Sequence, residues 1–447
     1  ACVRLGAVTN PLMPIFRARE LEFMLAFANT KAIVIPREFR GFAYEPLIDG
    51  LRAQLPDLEH VFVVGGEGDN AFEPALSDRP WEEEVDDLDA ILAAGRPEPN
   101  DVIEYCYTSG TSGQPKAVMH TSNTLVSCIE GAFPLNVDAS TVVLMGSPLA
   151  HQTGFIYGML MPFVLGGRAV FMDIWNVPQA VRLIHDQQVT LTMGATPFLS
   201  DLTESNLLER YPPDSLQIFI CAGAPIPRPL VRAGTERLGA SIVAGWGMSE
   251  NGLVSATLCG DPEAKVLGTD GVPCPGMELR VVDDDKQVVA NGIDGQLQVR
   301  GAANFVGYLK RPEAYSVDAE GWFDTGDIAR MDDDGYITIT GRAKDILIRG
   351  GENVPVAEVE SALFDHPAVA KVAVVGKPDP RLGERGCAFV TLNPGHAFGF
   401  DDMVEHLSEA DFTKNYWPEH LVVLDEMPMT PSGKIQKFKL RDLAATE

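Results

Sequence analysis

Residues 107–118 read YTSGTSGQPKAV. Hydroxyl side chains and glycines share the run with a proline and a lysine, between apolar flanks. Backbone N–H groups can converge on an anion where glycine supplies positive φ and leaves no side chain in the way. Ser and Thr hydroxyls add donors, and a lysine adds counter-charge. The stretch therefore fits a phosphate cradle, and it also fits a plain flexible loop. It is neither the ATPase loop G-x-x-x-x-G-K-[ST] nor a dinucleotide fingerprint.

The surroundings put this loop in an α/β setting. DVIEYCY (101–107) reads as a strand entering it, KAVMH (116–120) as a strand leaving it, and TSNTLVSCIEGAF (121–133) as a helix capped by Thr121 or Ser122. Before it, ARELEFMLAFANT has helical spacing, and KAIVIP and HVFVVG are β-branched runs. The acidic stretch 79–101 reads as a solvated surface helix and linker. After the loop, strand-like pieces recur at 141–146, 168–173, 216–223 and 240–247, with helical segments between. From 268 to 340 short alternating strands punctuated by Gly, Asp and Pro suggest an all-β subdomain. Beyond GRAKD (341–345) the texture changes to a small α+β unit: helices at 355–366 and 401–410, strands at 369–376, 387–393 and 420–425.

Composition narrows the function. The 447 residues include 35 basic and 63 acidic ones, a formal net charge of −28. That sign argues against nucleic acid and anionic membrane surfaces as partners. Apolar runs such as FIYGMLMPFVL (155–165) are too short to span a bilayer. The seven cysteines are odd in number and form no C-x-x-C pair, which fits a reducing cytoplasm and neither a disulfide framework nor a zinc site. ACVRLGAVTNPLMP lacks a basic start followed by an apolar block, so no signal peptide is expected. It also lacks an initiator Met, so a chain starting partway into a longer protein is expected.

Four further motifs carry chemistry. In GWGMSE (245–250), Gly245 and Gly247 let a backbone approach a ligand, Trp246 offers a flat face and Glu250 a hard oxygen for Mg²⁺. Taken singly, a core Trp and a surface Glu are the ordinary readings. In FDTGD (323–327), Asp327 can accept from two vicinal hydroxyls, as on ribose, or simply form an Asx turn. In PSGKIQK (431–437), Lys434 sits on a glycine turn, where a surface lysine would be unremarkable. In SPLAHQTGFIYGML (147–160), His151 taken by itself reads as a core or capping histidine. Together these are the parts needed to hold ATP and attack it.

The sequence resembles the adenylate-forming enzymes, which include acyl-CoA synthetases, aryl-CoA ligases, firefly luciferase and peptide-synthetase adenylation domains. The opening stretch is similar to their Y-T-S-G-T-T-G-x-P-K-G loop, GWGMSE to G-Y-G-x-T-E, and FDTGD to W-x-x-T-G-D. GRAKDILIRGGENV is similar to their G-R-x-K-D hinge with G-G-E-N, and PMTPSGKIQK to the closing P-x-T-x-S-G-K. The motifs run in family order over nearly the whole chain. The resemblance implies a large N-terminal domain of α/β sheets plus a β-rich subdomain over 1–342. A small mobile α+β domain would span 343–447, hinged near Lys344. It also implies a further segment before LGAVTNPLMP.

The roles it implies are these. Thr108, Ser109, Gly110, Thr111, Ser112, Gly113 and Lys116 hold the β- and γ-phosphates, with Thr108 sharing Mg²⁺ with Glu250. Gly223, Ala224 and Pro225 line the adenine site, with Trp246 against the ring. Ser249 touches the α-phosphate, and Asp327 binds the ribose with help from Arg342. Lys434 bridges substrate carboxylate and α-phosphate, and Gly350, Gly351 and Glu352 face a pantetheine tunnel. Ser112 and Ser249 replace the commoner Thr, Ala117 a Gly, and Trp246 a Tyr or Phe. The implied reaction uses ATP, Mg²⁺ and CoA to convert a small carboxylic acid into acyl-AMP and then acyl-CoA.

The resemblance also puts His151 near the mouth of the acyl pocket; His-Gln-Thr-Gly lacks the Asp that peptide-synthetase domains tend to place there, which argues against amino-acid substrates, and apolar Met193, Phe198, Phe155 and Met248 suggest an aliphatic, alicyclic or aryl acid. The nearest resemblance is to medium-chain and cyclohexanecarboxylate-type ligases. The alternatives are transfer to a carrier protein, luciferase-like oxygenation, and a degenerate homologue or inactive fragment; intact Lys116, Glu250, Asp327 and Lys434 argue against degeneracy. A homodimer is compatible with the sequence.

Overall fold

The computed structural model describes the chain except residues 109–114, 224–225, 343–346, 350–351, 355, 380, 411, 413, 431–432 and 447. At 228, 342, 348, 352, 353, 383 and 415 it describes the backbone alone. The fold is mixed α/β, and it divides into two compact units. One is Ala1–Asn123 with Phe305–Tyr315, and the other is Thr124–Asn304 with Ser316–Glu447. Among the described residues no helix is long and apolar enough to cross a membrane.

In the first unit, helix Ala18–Phe27 buries Leu21, Met24 and Leu25, the spacing of one helical face. It packs against the parallel strands Ala32–Pro36 and His60–Val64. Helices Trp81–Glu84 and Leu88–Gly95 of the acidic stretch bury no residue. Strands Val102–Thr108 and Lys116–Thr121 pair antiparallel, from Val102↔Thr121 to Thr108↔Lys116. The segment Phe305–Tyr315 adds to that pair, with Met119 donating to the Gly307 carbonyl at 3.0 Å and Leu309 to Ala117 at 2.9 Å.

The second unit is built on a seven-stranded sheet. Its spatial order is Arg168–Phe171, Val142–Met145, Leu191–Gly194, Ile218–Ala222, Ser241–Met248, Gly252–Ala256 and Val272–Pro273. The first five are parallel, and Gly252–Ala256 pairs antiparallel with both Ser241–Met248 and Val272–Pro273. Parallel strands are covered on both faces, hence their continuous apolar runs. Helices Val177–Asp186, Thr196–Thr203 and Arg228–Leu238 cover it with Val181, Ile184, Leu199, Leu202, Leu230 and Val231. Residues 147–160 are helical over Thr153–Leu160, running on into Met161–Leu165.

The region expected to be all-β forms a four-stranded antiparallel sheet from Met277–Val282, Gly295–Gly301, Phe323–Met331 and Ile337–Arg342. The C-terminal segment builds a five-stranded sheet with helices Val356–Phe364 and Phe400–Glu409. A third helix, Lys437–Thr446, was not expected from the sequence. It buries Leu440 and Ala444 against Ala373, Val375 and Phe389. Lys437 at its start pairs with buried Glu360 at 2.7 Å, and Glu360 also accepts from the Val374 N–H at 2.6 Å. This pins the turn that carries Lys434 three residues earlier.

Candidate active site

In open parallel sheets, ligands gather beyond the carboxyl ends of the strands. Here those ends bring Met193, Gly194, Ala222, Gly223, Met248 and Ser249 around one cavity. Ser147, His151, Gln152, Thr153 and Tyr157 close it from a second side, Gly252 and Leu253 from a third. Lys434 enters from the C-terminal segment. A tight turn presents it: the Thr430 N–H donates to the Lys434 carbonyl at 2.7 Å, and the Lys434 N–H returns to Thr430 Oγ1 at 3.0 Å. Gly433 takes φ +82° there, a conformation that favours glycine.

Gly223 shows how close the lysine comes. A Cβ at Gly223 would lie 3.2 Å from Lys434 Cε, and the φ of +88° would strain it as well. Gly247 carries a different constraint. A Cβ there would meet the Gly252 carbonyl oxygen at 1.8 Å, so its glycine serves the close pairing of Ser241–Met248 with Gly252–Ala256. Gly245 is similar, with Leu253 Cδ1 at 2.6 Å.

His151 is held neutral. Burial, with the Lys434 charge second, pushes its imidazole down to about 4. The Thr153 N–H donates to its Nδ1 at 3.3 Å, which leaves the proton on Nε2. Tyr157 is fully buried, and burial raises its phenol well above the ordinary value. Its oxygen accepts from the Leu253 N–H at 2.7 Å and donates to the Cys128 carbonyl at 3.4 Å.

Trp246 and Asp327 are both buried, and the indole N–H donates to Asp327 Oδ2 at 2.9 Å. Thr325 Oγ1 accepts from the Asp327 N–H at 3.0 Å and donates to the Leu297 carbonyl at 2.7 Å, fixing the turn. Asp327 faces Arg342 across the strand pair. Glu250 is buried next to Ser249. Among the described residues no group of three or more His, Cys, Asp or Glu side chains could hold a metal. Mg²⁺ commonly uses one or two carboxylates plus substrate phosphates, and the single carboxylate of Glu250 beside a cavity fits that mode.

The sequence expectations thus divide. Lys434, His151, Ser249, Gly223, Gly247, Met193 and Met248 meet at one cavity. Phe155 and Phe198 are buried outside its lining, Phe198 stacking edge-on against Trp175 at 4.6 Å. Thr108 and Lys116 belong to the other unit, where Lys116 Nζ lies 4.5 Å from the Tyr308 ring centre. Ser109, Gly110, Thr111, Ser112, Gly113, Ala224, Pro225, Lys344, Gly350 and Gly351 lie outside the described residues, as do the Arg342 and Glu352 side chains. Tyr157, Gln152 and Thr153 were missed as lining residues. Their signal was proximity to His151 in the same segment.

Two family descriptions match the chain: AMP-binding enzyme over residues 1–309, and AMP-binding enzyme C-terminal domain over 358–434. A medium-chain fatty-acid–CoA ligase of Escherichia coli (strain K12) is 38% identical over 448 residues, 99% of this chain and 78% of that one. A 2,3-dihydroxybenzoate-AMP ligase of Bacillus subtilis (strain 168) is 32% identical, with 99% and 80% covered. Among solved structures, an anthranilate CoA ligase in complex with anthranoyl-AMP aligns with a TM-score of 0.88 at 26% identity. It covers 100% of this chain and 84% of its own.

Proposed function

Because the chain belongs to the AMP-binding enzyme family, we propose that it joins a carboxylic acid to CoA at the expense of ATP, as an AMP-forming acid–thiol ligase. The observation that carries this reading is the seat of Lys434, inserted from the C-terminal segment between Gly223, His151 and Ser249. A carboxylate is a poor electrophile. Its oxygen attacks the α-phosphorus of ATP, and the bond to pyrophosphate breaks. The CoA sulfur then attacks the acyl carbon, the bond to AMP breaks, and the thiol proton is released.

Lys434 offsets the charge that grows between carboxylate and α-phosphate, where a preorganised cation is worth most. Ser249 adds a donor at the α-phosphate, and the Nε2–H of neutral His151 adds another without adding charge. Asp327 accepts from the ribose hydroxyls. For Thr108 and Lys116 as phosphate ligands the support is the motif itself. Glu250 would hold Mg²⁺, which supplies charge neutralisation on the phosphates. We read 343–447 as a domain that turns about Lys344 between the two half-reactions. Its own sheet and apolar clusters support this. The seven cysteines, odd in number and none paired as C-x-x-C, support a cytoplasmic setting.

The acid is read as apolar, with Met193, Met248 and Leu253 on the cavity wall. Carrier-protein loading is the second reading, favoured by a salicyl-AMP ligase / salicyl-S-ArCP synthetase of Mycobacterium tuberculosis at 31% identity. Mass spectrometry of products from ATP, Mg²⁺ and a panel of acids, with and without CoA, separates them. Acyl-CoA with AMP supports the ligase; acyl-AMP accumulating despite CoA supports the carrier.

A further inference from the structure

The geometry points to Trp246 as a positioning residue for Asp327: its indole N–H orients the carboxylate and so sets how strongly the enzyme reads the ribose hydroxyls of ATP. This rests on the reading of Asp327 as the ribose acceptor. The two residues are 81 apart in sequence, yet Nε1 and Oδ2 are 2.9 Å apart in a buried setting.

The pairing answers two needs at once. An indole N–H is a donor only, and when buried it requires an acceptor. A buried carboxylate must be supplied with donors or it loses its charge. Here the need is sharpened by Asp270, a second carboxylate whose charge interacts with that of Asp327. A donor on Oδ2 works against that repulsion and holds the carboxylate as an acceptor. It also fixes rotation of the carboxyl group, whose backbone is already held by Thr325.

A Phe at 246 would keep the ring and lose the donor, and a Tyr hydroxyl would project from a different point of the ring. The hydrogen bond is therefore specific to indole. Trp246 sits at the register shift beside Gly247, so one local irregularity places Gly247 on the cavity wall and the indole against Asp327.

The test is a substrate cycle on the full chain. ATP–pyrophosphate exchange would be measured with ATP and with 2′,3′-dideoxyATP for the native enzyme, Trp246→Phe, Asp327→Ala and the double variant. We expect Trp246→Phe to raise KM for ATP by about tenfold, the worth of one charge-assisted hydrogen bond, with kcat little changed. The penalty should shrink to about twofold or less with the dideoxy nucleotide, and should vanish in the Asp327→Ala background, which lacks the acceptor. An equal penalty on both nucleotides would mean that Trp246 only packs, and would overturn the inference. If the native enzyme fails to prefer ATP over the dideoxy nucleotide, the ribose assignment itself falls. Should Trp246→Phe not fold, replacing tryptophan by benzothienylalanine keeps the shape, removes the N–H and reads the same cycle.

Discussion

Lys434 bears on His151: burial first, and the Lys434 charge second, push the imidazole down to about 4, so the ring is neutral. Lys434 comes from the C-terminal segment and His151 from the loop after strand Val142–Met145, so this coupling reports the arrangement in which the lysine occupies the cavity.

Removing Lys434 should therefore move His151. In Lys434→Ala the histidine is expected to titrate closer to its ordinary value, followed by imidazole NMR. The native ring sits below the unfolded value, so acid protonates the unfolded chain first. The His151 contribution to stability is complete above about pH 6.5 and is lost as pH falls toward about 4. Lys434→Ala should narrow that window from its acid end.

Gly223→Ala is expected to weaken adenylation and stability together. The new Cβ would press on Lys434 Cε at 3.2 Å, and φ +88° disfavours any L side chain. A loss of about 1–2 kcal/mol by thermal unfolding is expected, together with slower pyrophosphate exchange.

Tyr157→Phe should destabilise by about 1–3 kcal/mol, because the buried Leu253 N–H loses its acceptor. Chemical denaturation would measure it. Loss of the fixed Leu253 backbone should also broaden acid selectivity, since Leu253 lines the cavity.

Glu360→Ala removes a buried carboxylate from Lys437 and from the Val374 N–H. A cost of about 3–5 kcal/mol is expected from breaking a buried pair. Glu360→Gln, which can still accept from Val374, should cost less.

The sequence made the strands and the motif order legible because each is local. FDTGD and GWGMSE announced polar groups on glycine turns. They could not announce that Trp246 and Asp327 touch, since that contact depends on sheet order. The strand pairing that forces Gly247 to be glycine was hidden for the same reason. Gly154 and Gly158 in helix Thr153–Leu160 allow close packing that local sequence does not announce either. A Cβ at Gly154 would sit 2.2 Å from the Pro148 carbonyl oxygen, and one at Gly158 2.5 Å from Met145 Cγ. Helix Lys437–Thr446 was not legible because it buries only Leu440 and Ala444, too few apolar positions to show a helical period.

Lys434 is proposed to serve the first half-reaction and not the second. Single-turnover kinetics of Lys434→Ala, with ATP plus acid and separately with synthetic acyl-AMP plus CoA, tests it directly. Acyl-AMP formation should fall by at least about a hundredfold, the scale of one preorganised charge donor. Thioester formation from supplied acyl-AMP should stay within about threefold of native on the same scale. Equal loss in both would contradict the account.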